Sequence, residues 1–292
     1  MTLELIQHSL ASSGEHIGDI VWWTLSDARL THSRLTTVWH SHGLSPDLLP
    51  EEPTDEQAFR RAARSCQVGI TDKLIRLGKE DTTELVFAIV AEDRLGDGSV
   101  KHHQETLVRL DRNRGHVTVS DHGHELGVQI RERYNALRDV HAADDVRRLI
   151  VRTLQSFAAV TLREGGGVYW VPAKYSKPLR ALSTAIAEFG GSRMSLVPVH
   201  RTKEAERAIG DAAQASIEQE LTNLRTEIND FLASPPERAS TLERRLDAFD
   251  VLRNRAQLYK TVLNTEVYGL ESQLVSLENS VDALLAEKRK AA

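Results

Sequence analysis

Cysteine is almost absent from the chain: Cys66 is the only one in 292 residues, so no disulfide framework can form within it. No run of 18 or more apolar residues occurs, which leaves no segment that reads as a membrane-spanning helix. Met1-Thr2-Leu3-Glu4 lacks the basic stretch and apolar core of a secretory signal, so the cytoplasm is the expected compartment. Catalytic signatures are missing too. There is no Gly-x-Ser-x-Gly elbow, and the triple glycine at 165–167 stands before a strand-like segment rather than between a strand and a helix, which is the wrong context for a phosphate loop. No internal repeat or low-complexity tract appears, and no motif is specific to a known family.

A composition that is 40% hydrophobic and 27% charged is that of an ordinary soluble domain, with length for one or two cores. The formal net charge of −5 argues against bulk affinity for nucleic acid, but the charge is unevenly distributed. From 163 to 203 there are seven basic residues (163, 174, 177, 180, 193, 201, 203) against two acidic ones (164, 188). Such a segment can create a local positive field on a negative protein.

Three regions follow from the patterning. Residues 1–66 read as a mixed segment. Ile20–Leu25 is a short apolar run with two tryptophans that suits a strand or a helix start, Leu35, Val38 and Trp39 share a helical face, and Thr54 with Gln57 forms a capping box. Residues 67–202 read as an α+β body. Branched-residue runs at 74–77, 84–93, 105–110 and 117–120, separated by Gly96-Asp97-Gly98 and Arg112-Asn113-Arg114-Gly115, predict an antiparallel meander. Helices are expected at 127–138 and 144–162. A strand–helix–strand crossover follows over 168–171, 176–189 and 194–199.

Residues 203–292 predict a coiled-coil helical hairpin. Ile217, Leu221, Leu224, Ile228 and Phe231 form one seam; Val267, Leu270, Leu274, Leu277, Val281 and Leu284 form another. The second helix, from 240 to about 288, would be on the order of 70 Å long against about 45 Å for the first. Its last turns would then have no partner in the hairpin, so they either dock on the globular body or pair with another subunit; they are assigned to oligomerisation. The fold class is therefore α+β: a mixed body with a meander and a small βαβ-like unit, followed by a long helical hairpin.

For function, Arg163, Tyr169, Trp170, Lys174, Tyr175, Lys177, Arg180 and Arg193 interleave basic and aromatic side chains, the pattern of a surface that grips phosphates and stacks on bases. Trp22 and Trp23, if extended, point to opposite faces, and an exposed tryptophan marks a contact surface. The histidines are scattered. His102-His103 and His122-Gly123-His124 lie where polar turns belong, and His40 and His42 are two apart on a helix, so no metal or other cofactor is expected. The reading is a non-enzymatic, self-associating protein that oligomerises through its coiled coil and binds nucleic acid through the basic face. A protein adaptor that binds no nucleic acid is the alternative, and a hydrolase or nuclease built from histidines and acids near 93–125 is the third.

Overall fold

The computed structural model describes residues 14–26, 29–68, 72–94, 99–163, 165–236, 239–264 and 269–291. Its contacts divide the chain into two compact units: Met1–Thr24, Val151–Ala187 and Ser192–Ala292 form unit 1, while Leu25–Ile150 and Glu188–Gly191 form unit 2. The division differs from the expected 1–66, 67–202 and 203–292 because unit 1 gathers segments far apart in sequence. The α+β class holds, with antiparallel sheets followed by C-terminal helices.

Unit 2 contains the meander. β3 (Lys73–Glu80), β4 (Glu84–Arg94), β5 (Val100–Asp111) and β6 (His116–Val119) pair in sequence order, each antiparallel to the next. Of the two expected turns, Gly96-Asp97-Gly98 lies outside the described residues, whereas Asp111 closes the other by accepting the N–H groups of Asn113 and Arg114. Leu85, Ile89, Val108, Leu110, Val117 and Val119 alternate onto one face of the sheet and are buried with Phe59 of α2 (Asp55–Gln67) and Ile130 and Tyr134 of α3 (Glu125–Leu137). Thr54 completes the capping box at the start of α2. A second, short pair, β2 (Leu30–Thr31) with β7 (Val140–His141), lies next to α1 (His32–Ser41). The unit boundary falls within the next helix, α4 (Ala143–Ser156). That helix stops six residues earlier than expected. Ala158 adopts a positive φ of 53°, and Val160, expected on the helical face, begins strand β8 (Val160–Thr161).

Unit 1 is built on a four-stranded antiparallel sheet of order β10-β1-β9-β8, where β1 is His16–Thr24, β9 is Tyr169–Pro172 and β10 is Arg193–His200. The expected crossover is present, through α5 (Ser176–Ala187), but β1 is inserted between its two strands. Gly18 is required in β1. A Cβ there would lie 2.3 Å from the carbonyl oxygen of Val171 and 2.4 Å from Trp170 Nε1.

The helical region departs furthest from expectation. α6 (Lys203–Ala233) forms as predicted, but the second helix is interrupted, giving α7 (Ala239–Leu263) and α8 (Leu270–Ala291). Asn264 and Gly269, at the borders of the break, have φ of +52° and +71°, a conformation that ends a helix. α8 therefore packs against both α6 and α7, and the hairpin becomes a three-helix bundle. Its core joins Ile217, Leu221, Leu224 and Ile228 to Phe249, Leu252 and Tyr259 and to the α8 seam, and it continues onto Ile17, Val160 and Trp170 of the sheet. Tyr259 donates its hydroxyl to the Ala158 carbonyl at 3.0 Å, and burial pushes that hydroxyl up to about 12. Glu227–Arg245 links α6 to α7, and Arg253 bridges to Glu271 and Glu278 of α8.

Candidate nucleic-acid interface

The register of the unit 1 sheet separates the eight basic and aromatic residues into two groups. Residues at the ends of β9 and β10 and at the start of α5 occupy one end of the sheet, together with His16 and His200, which face each other in register. This end holds Lys174, Tyr175, Lys177 and Arg180. The opposite end holds Arg163, Tyr169 and Arg193, together with Trp22 and Trp23. Trp170 belongs to neither: it is 0% exposed and packs on Tyr259 with ring centroids 6.3 Å apart. It is a core residue.

At the α5 end, Lys174 and Lys177 are exposed, and Tyr175 is stacked on Phe157 with its ring 5.4 Å from the Lys174 ammonium. Beneath them Asp19 is fully buried. Its Oδ2 accepts the Ser176 hydroxyl at 2.6 Å and lies 3.5 Å from His16 Nε2 and 3.6 Å from Arg180 Nη1; its Oδ1 has no hydrogen-bond partner. A helix start attracts negative charge, and here the protein supplies its own carboxylate, which also draws in Arg180. This end is therefore poorly suited to take up a phosphate. Asp19 escaped the sequence reading, although an acid within the apolar run Ile17–Val21 was a visible signal.

The opposite end has a different chemistry. Leu162 N–H bonds to the Val168 carbonyl, so the glycine turn closes a β8–β9 hairpin that carries Arg163 at its tip. Trp23 and Tyr169 stack on one another, with centroids 5.4 Å apart and planes inclined by 19°. Trp22 alternates onto the other face and is 40% exposed. Arg193 pairs in register with Thr24, one position beyond Trp23. Arg163 and Arg193 are exposed and make no ion pair among the described residues. By this alternation Arg193 shares a face with Trp22, while the Trp23–Tyr169 stack lies on the other face and Arg163 sits at the hairpin tip.

The residues assigned to oligomerisation lie elsewhere. Leu270, Leu274, Leu277, Val281 and Leu284 are 0–8% exposed within the single chain, covered by α6 and α7, and Val267 lies outside the described residues. The α8 seam that was assigned to a second copy is filled by the chain itself.

His102, His103 and His124 are held by local contacts. His102 and His103 pair across strands with Glu92 and Asp93. His124 accepts the Gly127 N–H to cap α3 and contacts Glu105 at 2.9 Å; Lys73 and, secondarily, this histidine hold the Glu105 carboxyl below its usual range. No group of three metal-ligating side chains occurs among the described residues. Burial pushes the Cys66 thiol up, which makes it a poor nucleophile. No described helix is long and apolar enough to cross a membrane.

A polar chain in unit 2 was not anticipated. His141, 1% exposed, meets His32 Nδ1 through its Nε2 at 3.0 Å, while its Nδ1 lies 4.0 Å from Asp145, itself held by Arg61 and Arg148. Burial lowers the His141 pKa, a shift that the Asp145 charge only partly opposes. The i, i+4 spacing of His141 and Asp145 was the available signal, but His32 reaches them only through the β2–β7 pair.

No curated protein and no solved structure matches the chain. One family model does, over residues 16–290, which takes in every element described above but the last residue of α8. The chain belongs to that family, DUF6744, a family of unknown function.

Proposed function

We propose that the protein is a non-enzymatic binder of single-stranded nucleic acid that uses the Trp22–Trp23–Tyr169 end of the unit 1 sheet. The observation that carries this reading is the placement of Arg193 on the same face of the sheet as the exposed Trp22, with Arg163 at the tip of the neighbouring hairpin; both arginines are exposed and make no ion pair among the described residues. Guanidiniums follow the phosphate backbone, and aromatic faces accept bases of any identity. Bases are free to stack in this way only where they are unpaired, so the reading favours single strands over duplex. Lys174 and Lys177 at the far end of the sheet are outlying charges in this scheme. Avidity through a coiled-coil dimer has no part in it, because the α8 seam is buried within the chain.

The test is anisotropy of labelled oligo(dT), oligo(U) and duplex DNA at about 50 mM salt. Single strands should bind more tightly than duplex, with affinity falling by about 0.7 log units per tenfold salt for each phosphate contacted. The double variant Arg163→Glu/Arg193→Glu should abolish the signal. Failure of the wild type to bind any of the three, or unchanged binding by the variant, overturns the proposal. A protein partner is the second reading. It is favoured by Val197, 44% exposed on β10 next to β1, which with Trp22 leaves apolar surface on this sheet.

A further inference from the structure

The core-facing residues of the meander leave the alternate positions on its other face. Two rows of these stand side by side in register: Glu84, Asp111 and His116, then Val86, Arg109 and Thr118. All of these but the buried Val86, together with Thr83, Asn113 and Arg114 of the adjoining turns, line a cleft of about 350 Å³. That volume is at the small end of the ~300–1,000 Å³ of ligand sites.

The lining contains acids and bases, but they differ in what they already hold. Glu84 is paired with Lys79 at 2.6 Å, and Asp111 Oδ1 is occupied by the N–H groups of Asn113 and Arg114. Thr83 spends its hydroxyl on Asp81. Arg109 and His116, in contrast, have no ion-pair partner among the described residues, and Arg114 approaches Asp111 only at 3.9 Å. Glu84 is thus neutralised by Lys79 and one Asp111 oxygen is taken up by the turn, whereas Arg109 faces the cleft without a partner among the described residues. Thr118 stands opposite Arg109 in register and two positions from His116 on β6, so these three polar side chains adjoin on the outer face of the sheet.

We propose that this cleft binds a phosphate group, with Arg109 as the principal charge partner, His116 and Thr118 as flanking donors, and Asn113 and Arg114 at the rim. The phosphate could come from a small phosphomonoester or from a nucleic-acid backbone; the recognising chemistry is the same. The inference does not depend on the aromatic end of unit 1, and its test separates the two.

Calorimetry of the full chain would use three probes: inorganic phosphate, adenosine monophosphate and an abasic deoxyribose-phosphate oligomer. The oligomer would be titrated into the Arg163→Glu/Arg193→Glu variant, so that the other surface is silent. Binding of at least one probe is expected. Arg109→Ala should weaken it about 10- to 100-fold, the range of a lost charge-assisted hydrogen bond. Arg109→Lys should fall between, because it keeps the charge and loses the fork. Arg109 is exposed and makes no ion pair among the described residues, so both variants should melt with the wild type. A tighter response to the monophosphate than to inorganic phosphate supports a small ligand; an Arg109-dependent response to the oligomer alone supports a strand. Absence of binding by all three probes at millimolar concentration overturns the proposal, as does binding that Arg109→Ala leaves unchanged.

Discussion

The meander and the helical bundle bury similar kinds of side chain by different logic. In the meander each strand pairs with its sequence neighbour, and the cover, α2 and α3, flanks it directly along the chain. In unit 1 the central strand β1 comes from near the start of the chain, its neighbours lie about 150–180 positions later, and the bundle is later still. Periodicity states that a face is buried; it does not state by what. For the meander the two questions have one answer because the partner is local. For α8 they do not. A heptad seam that looks intermolecular is satisfied within the chain, because α7 ends at Leu263 and α8, starting at Leu270, packs against it and α6.

The sharpest way to break this comparison is Leu274→Glu. Leu274 is completely buried, so a carboxylate there should cost on the order of 5 kcal/mol and melt the bundle rather than release a subunit. Thermal unfolding and light scattering on the same sample measure both. A variant that keeps the wild-type melting midpoint but halves its mass would assign the seam to a second copy instead.

A smaller effect sharpens the other side of the comparison. His141 is held neutral by burial, so its folded pKa lies below the ~6.5 of an unfolded histidine. The unfolded chain then binds more protons, and stability falls as the pH drops from about 6.5 toward the folded pKa, by at most ~1.4 kcal/mol per pH unit. His141→Phe should flatten the slope between pH 7 and 5 in urea melts. Loss of stability below about pH 4 should remain, because Glu105 and Asp145 have lowered pKa values and lose their contribution only as they protonate. An unchanged slope between pH 7 and 5 would remove His141 from the account.

What could be read from the sequence follows the same division. The four meander strands, the Thr54–Gln57 cap and α6 were legible because their determinants lie within a dozen residues of one another. The ambiguous run at Ile20–Leu25 became β1 only through Tyr169–Pro172 and Arg193–His200, partners that no local pattern can identify. The helix break was signalled by Asn264 and Gly269, but Val267 kept the heptad in phase across it and masked the signal. The basic and aromatic cluster was visible as composition. Its split into two ends was not, because α5 carries Lys177 and Arg180 away from Arg193 and places them over Asp19.

The central claim is that the aromatic end of the unit 1 sheet stacks on unpaired bases, and Trp22→Ala tests it most directly. Trp22 is exposed, so its removal should leave the melting midpoint close to that of the wild type. Stacking on one base contributes ~1–3 kcal/mol, so the variant should bind oligo(dT) at least about fivefold more weakly, with less quenching of tryptophan emission than the wild type shows. Wild-type emission unmoved by oligo(dT), or equal affinity in the two proteins, would contradict the account.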